Sequence, residues 1–273
     1  MTVRWKTPLV CSVGSTDPTA GAGLFADAAV FGRLGVPAAY VVAGVTAQNS
    51  AAVSAVHALP ARAILGQLRD VWHQVTPSAV RIGLMPDAQA TAAVTRFLAS
   101  LRSRPPVVVD PVMASTSGRR FAGHAEITAL ARLFGLATIV TPNVPEAAAL
   151  TGLRVRTVDE AERAALALAS SSKCAVLVTG GHLRSGDRIV DVLAFDGKAT
   201  RFASRRLARD VRGTGCILAS ALAAALARGD TLEPAIRRAR SFVRAAMTSA
   251  RPVGRGRPQL WTGRATGVPA PRA

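Results

Sequence analysis

Lysine is nearly missing from this chain. Of its 34 basic side chains only Lys6, Lys173 and Lys198 are lysines; arginine supplies the rest. The formal net charge of +18 is therefore carried by scattered guanidinium groups. Aromatic residues are also scarce, at 4%, with Tyr40 the one tyrosine. A single-stranded nucleic-acid groove needs stacking aromatics interleaved with its charge, so the sequence is not read as a nucleic-acid binder. Its positive field suits a small polyanion instead. No apolar run reaches membrane-spanning length, because charges, glycine or proline interrupt each one. Residues 1–8 are too short and polar to precede a signal-peptide core. The three cysteines, Cys11, Cys174 and Cys216, are odd in number and lack metal-ligand spacing. That excludes a disulfide framework and makes a reduced cytoplasm the expected location. The four histidines, His57, His73, His124 and His182, are dispersed, which argues against a histidine-rich metal site or an obvious catalytic triad. No Gly-x-x-x-x-Gly-Lys-Ser/Thr is present, so this is not a P-loop protein. Gly21-Ala22-Gly23 lacks the third spaced glycine of a dinucleotide fingerprint.

What remains is ample for one large α/β domain: 273 residues, 49% of them hydrophobic. Short β-branched runs read as strands: Leu9–Val13, Ala38–Ala43, Pro106–Val109, Ala137–Val140 and Cys174–Val178. They are continuously apolar rather than alternating, so both faces are covered. Helical patterns lie between them, at 24–34, 61–75, 88–101, 125–134 and 158–170. A βαβ series of this kind gives a mostly parallel sheet with helices on both sides. Asp196-Gly197-Lys198 marks a hairpin near the end of the sheet. The domain is read as residues 1–250, and the Pro/Gly/Arg-rich stretch 251–273 as a loose tail.

The residues that follow the strands carry the functional signal. In turn they are Asp17 to Gly23, Thr46 to Asn49, Asp110 to Met113, Thr141 to Glu146 and Thr179 to His182. Ligands of open α/β sheets lie beyond the carboxyl ends of the strands, so these polar and glycine motifs converge on one crevice. Singly each is ambiguous: Asp-Pro is often a turn, and Asn-x-x-Glu a helix cap. A sixth motif, Gly213-Thr214-Gly215-Cys216, runs into an all-apolar stretch that reads as a buried helix. The unpaired N–H groups and positive dipole end of its first turn form an anion site, with phosphate the usual anion. Cys216 in that turn, with Arg209 and Arg212 nearby in sequence, is expected to be a low-pKa thiol. Taken alone, the segment is equally well explained as a glycine-started core helix with a buried cysteine.

In this order the motifs resemble the ribokinase-like superfamily, and within it the hydroxymethylpyrimidine/phosphomethylpyrimidine kinases of thiamine biosynthesis. The resemblance rests on Asp17-Pro18 with Gly21-Ala22-Gly23 and Ala26-Asp27, on Val45 to Ser50, on Arg81 to Met85 and on Asp110 to Met113. It continues through Thr141 to Leu150 and Gly180-Gly181-His182, and covers about residues 8 to 250. Gly213 to Cys216 is its most telling part, because cysteine in place of the superfamily's usual aspartate marks the pyrimidine and pyridoxal kinases. The resemblance implies a three-layer α/β/α fold, a homodimer, and transfer of the ATP γ-phosphoryl group to the hydroxymethyl oxygen of 4-amino-5-hydroxymethyl-2-methylpyrimidine, then to the monophosphate. By the same resemblance Gln48 hydrogen-bonds the aminopyrimidine, and Asp27 and Leu84 line its pocket. Asp110 and Glu146 serve Mg²⁺, directly or through water. Cys216 takes the hydroxyl proton while Gly213 and Gly215 hold phosphoryl oxygens. Asn143, Thr179, Arg212 and Thr214 complete the ATP and phosphate region. Four positions depart from the family: Thr179 stands where lysine is usual, Arg212 where histidine is, Ala20 where glycine is and Phe25 where glutamine is. Arg212 is expected to take over part of the lysine's role at the phosphates. Two other readings stay open, a kinase for pyridoxal or another hydroxymethyl heterocycle, and an inactive relative that only binds pyrimidine.

Overall fold

The computed structural model describes residues 7–115, 118–183, 186–253 and 256–259. Apolar runs form the strands β1 (Val10–Thr16), β2 (Ala38–Gln48), β3 (Val53–Ala58), β4 (Ala79–Ile82) and β5 (Val107–Val109). They continue as β6 (Ile139–Val140), β7 (Ala175–Val178), β8 (Arg188–Phe195) and β9 (Lys198–Arg205). Among the described residues these make one nine-stranded sheet, ordered β3-β2-β1-β4-β5-β6-β7-β8-β9. Strands β1, β2, β4, β5, β6 and β7 run parallel to one another, while β3, β8 and β9 add antiparallel pairings at the margins.

Successive side chains of a strand point to opposite faces, and here both faces are dry. Cys11 and Val13 of β1, Val107 and Val109 of β5, and Val176 and Val178 of β7 enter one core. Their neighbours Val10, Val108, Ala175 and Leu177 enter the other. The first core is closed by α2 (Ala61–Gln74), α3 (Ala88–Ala99), α4 (His124–Phe134), α5 (Val144–Thr151) and α6 (Val158–Ser172). The second is closed by α1 (Gly23–Leu34), α7 (Thr214–Ala227) and α8 (Leu232–Thr248). The result is the expected three-layer α/β/α arrangement. Helix α7 is buried from Ile217 through Leu226, as an all-round apolar helix must be.

The Asp-Gly hairpin forms as read: Phe195 pairs with Lys198, and Asp196 and Gly197 both have positive φ, at 51° and 71°. Four elements are additional to the sequence reading: β3, β4, α5 and α8. Strand β3 turns back antiparallel on β2 through Asn49, whose side chain accepts from the N–H groups of Ala51 and Ala52. Helix α8 hides its apolar positions, Ala235, Ile236 and Ala239, among exposed arginines such as Arg237 and Arg238. The tail reading is corrected for its described part. Arg251 and Gln259 pair antiparallel, Gln259 also bridges to Arg212, and its side chain is buried. Residues 260–273 lie outside the described part of the chain.

Candidate active site

A cavity of about 1020 Å³ lies over the carboxyl ends of the parallel strands. Its wall includes Gln48 at the end of β2, Leu84 after β4, Asn143 and Glu146 after β6, and Thr179 after β7. Arg212 and the turn Gly213–Cys216 complete that wall from the start of α7. The strand-end motifs thus meet in one place. Phe25 is half exposed on α1, and Ala20 takes the left-handed φ of 55° that glycine adopts more readily.

The turn before α7 is set by Gly213, at φ 79°. A Cβ there would run into the carbonyl oxygen of Gly21, so a bare backbone lets α7 approach the Asp17–Gly23 loop. Thr214, Gly215 and Cys216 follow as the first turn, with the N–H groups that a helix leaves unpaired. The expectation of a low-pKa Cys216 is overturned. Burial pushes the thiol well above its ordinary value, and the neighbouring Asp110 carboxylate pushes it further, against the opposing pull of Arg81. Neither arginine invoked from the sequence turns to the sulfur: Arg209 donates to the Met247 and Thr248 carbonyls, and Arg212 faces Asp17. Cys216 is therefore a protonated thiol hydrogen-bonded to Asp110.

Beneath that thiol lies the residue to which sequence reasoning gave no role. Arg81, in β4, is fully buried; its guanidinium sits 2.9 Å from Asp110 and 3.2 Å from Asp27. Burial opposes its charge, but Asp27, Cys216 and Asp110 together outweigh that and hold it ionised. Asp27 also accepts from Ser12 at 2.8 Å and from Ser220 of α7 at 2.7 Å. Burial pushes both carboxyl groups up, and Arg81 pulls them down. Asp27 does not line the pocket as expected. It is sealed under the floor, and its partners tie α1, β1, β4 and α7 together. A buried cation with two buried carboxylates is the one signal that could have marked Arg81, and it appears only when the strands are assembled.

Glu146 caps α5. Its Oε2 accepts from the Asn143 N–H at 2.8 Å, while its own N–H donates to Asn143 Oδ1 at 3.0 Å. Its second oxygen receives only a long 3.4 Å contact from the Met113 N–H. Burial raises its pKa to about 8, with Asp110 adding to the shift. A buried carboxyl whose ionisation a neighbouring carboxylate opposes suits a divalent cation held by one or two protein oxygens, water and phosphates. Among the described residues no group of three or more His, Cys, Asp or Glu forms a closed metal cage. The carboxylate oxygens of Asp110 and Glu146 are donors of the kind Mg²⁺ takes. Beside it, the Gly180 N–H after Thr179 donates to Asp191 at 2.7 Å, and Asp191 is paired with Arg240 of α8 at 2.7 Å.

Directly before the α7 turn, Arg212 gathers a group of polar side chains. Arg212 is buried and sits 2.9 Å from Asp17; it donates to Thr19 Oγ1 at 3.0 Å and to Gln48 Oε1 at 2.9 Å. Thr19 in turn donates twice to Asp17 Oδ1, at 2.9 Å each. Arg212 is thus committed to the Gln48 end of the cavity. The expectation that it replaces a lysine at the phosphates is corrected.

A profile of the phosphomethylpyrimidine kinase family matches residues 17–261. The thiamine biosynthesis bifunctional protein ThiED of Geobacter sulfurreducens is 40% identical over 90% of the chain. The chain spans about half of that protein's length, 50%. The hydroxymethylpyrimidine/phosphomethylpyrimidine kinase of Streptomyces coelicolor is 38% identical, covering 91% of this chain and 92% of that one. Among solved structures, an ADP complex of Bacillus subtilis pyridoxal kinase superposes with a TM-score of 0.86 at 26% identity, over 93% of this chain and 97% of the other.

Proposed function

Because the chain belongs to the phosphomethylpyrimidine kinase family, we propose that it transfers the γ-phosphoryl group of ATP to the hydroxymethyl oxygen of 4-amino-5-hydroxymethyl-2-methylpyrimidine, then to the resulting monophosphate, in the synthesis of thiamine diphosphate. One observation carries the reading: a hydrogen-bonding amide, Gln48, and an anion-binding helix turn, Gly213–Cys216, share a single cavity. Arg212 occupies the Gln48 oxygen, so the amide NH₂ is left to donate to a ring nitrogen. Leu84 supplies apolar contact beside it. The first turn of α7, with Gly213, Thr214 and Gly215, receives the phosphoryl oxygens, where fixed N–H dipoles stabilise charge as it spreads in the transition state. Asn143 and Thr179 flank the nucleotide phosphates.

The raised thiol pKa shapes the proton transfer. As the hydroxymethyl oxygen bonds to phosphorus and the β–γ bridge breaks, its proton passes to the sulfur of Cys216 while the thiol's own proton passes to Asp110. Asp110 is suited to receive it, since burial raises its pKa. Glu146 would hold Mg²⁺ directly or through water, and Asp110 through water, so that it stays free to accept the proton; the ion would neutralise phosphate charge when bound. A cytoplasmic homodimer is the expected context; no described helix is long and apolar enough to cross a membrane.

A second reading, favoured by the likeness to pyridoxal kinase, has pyridoxal as the acceptor. Incubation of the purified protein with Mg-ATP and each heterocycle, followed by ADP release and phosphorus NMR, separates the two. A preference for the pyrimidine supports the proposal; a preference for pyridoxal replaces it. Binding of pyrimidine without phosphate transfer would make the chain an inactive relative.

A further inference from the structure

The polar ring around Gln48 is completed from the far end of the chain. Residues 256–259 return across the start of α7. There the Pro258 carbonyl accepts from the Arg212 N–H at 2.8 Å, and Gln259 bridges to Arg212 in parallel. Arg251 and Gln259 exchange two backbone hydrogen bonds, at 3.1 and 3.0 Å, which pins the return. The Gln259 side chain is buried, and its Nε2 donates to the Thr19 carbonyl at 2.5 Å. Its Oε1 is buried without a hydrogen-bond partner, a cost that a purely structural contact has no reason to retain. A Cβ on Gly21 would press on both Gln259 Oε1 and Arg212 Nη1, so this loop glycine lets the two side chains lie over it together.

We infer that Gln259 is a positioning residue for substrate recognition. It fixes the Thr19 loop and the Arg212 backbone together. Arg212 then holds the Gln48 oxygen, and the Gln48 NH₂ is presented in one orientation. The inference rests on the reading of Gln48 as the pyrimidine contact. It assigns the C-terminal segment to specificity, through the residue that precedes the α7 turn.

The test is a mutant cycle read by steady-state kinetics with hydroxymethylpyrimidine and Mg-ATP. Gln259→Leu keeps the volume and removes the donor. It should raise the pyrimidine KM about tenfold, or ~1.4 kcal/mol, and leave kcat and the ATP KM within about twofold. Gln259→Glu, which keeps the size but replaces the Nε2 donor by an acceptor facing the Thr19 carbonyl, should give the same signature and serves if Gln259→Leu does not fold. In a Gln48→Ala background the effect of Gln259→Leu should vanish, because the two act through one network. A parallel rise in both KM values, or effects that multiply in the double variant, would make Gln259 merely structural and overturn the inference. A wild-type protein inactive on the pyrimidine overturns the functional reading with it. An active wild type whose Gln259→Leu variant keeps its pyrimidine KM overturns the positioning role alone.

Discussion

The two ends of the cavity solve opposite electrostatic problems. At the Gln48 end, Arg212 meets Asp17, Thr19 and Gln48 within 3.0 Å, so the charges are paired before any ligand arrives. At the α7 end, Asp110 and Glu146 are buried and both are pushed above the ordinary carboxylate range, with Arg81 reaching only the first. One end is preorganised for a neutral heterocycle. The other holds two buried carboxyl groups whose ionisation is opposed, the condition in which Mg²⁺ and a nucleotide complete the site. Paired groups orient, and under-compensated groups wait for a ligand.

The largest effect that would break this contrast is removal of the hidden cation. Arg81→Met strands Asp27 and Asp110 as unpaired buried carboxylates and should cost about 3–5 kcal/mol of folding stability. Urea denaturation measures it, and a loss below about 1 kcal/mol would mean that the ion pairs do not hold the floor. Next comes Cys216. Cys216→Ala should lower kcat by about 10²–10⁴-fold, the range for a positioned proton acceptor. Alkylation of the wild-type thiol, compared with Cys216→Ala, should be slow at pH 7.5 and still climbing above pH 9. A plateau with a midpoint below pH 8 would restore the low-pKa thiolate that the structure contradicts.

A smaller effect sharpens the other end. Gln48→Ala should reduce kcat/KM for the pyrimidine by about 1–3 kcal/mol, the cost of an unpaired buried partner, with the ATP KM unchanged. Equal damage to both ligands would place Gln48 between them rather than at one end. The smallest effect concerns Glu146, whose pKa rises from its ordinary 4.5 to about 8. The folded state holds this proton more tightly, so the associated stability is present below about pH 4.5 and is lost as pH rises through 8. Without Mg²⁺, Glu146→Gln should therefore raise Tm relative to wild type above pH 8, by about 2–4 °C per kcal/mol regained. Thermal scans at pH 5 and pH 9 check it; a difference that does not grow with pH would show that Glu146 is not buried as a costly anion.

The sequence made the scaffold legible where local chemistry dictates it. Apolar runs of strand length named most of the parallel strands, Asp196-Gly197 named the hairpin, and the motifs after each strand named the cavity. Helix α8 escaped because its arginines break the apolar spacing, although a stripe of alanine and one isoleucine is enough to dock it. The Cys216 thiol was misjudged for a related reason. Its helix turn is visible in the sequence, but Asp110, which reverses the electrostatics, arrives from another strand. Arg81 sits in an apolar strand, and nothing local says that two carboxylates will close over it. Gln259 lies in a stretch without periodicity, and its backbone bridge to Arg212 and its side-chain bond to Thr19 bring it to the site.

The division between the two ends is tested most directly by calorimetric titration of one protein with each ligand, with and without Mg²⁺, from pH 7 to 9. Hydroxymethylpyrimidine should bind with an affinity that ignores both variables. ATP should require Mg²⁺ and bind more tightly as pH rises through 8, and Glu146→Gln should remove that pH dependence. Equal sensitivity of both ligands to Mg²⁺ and pH, or ATP binding indifferent to either, would contradict it.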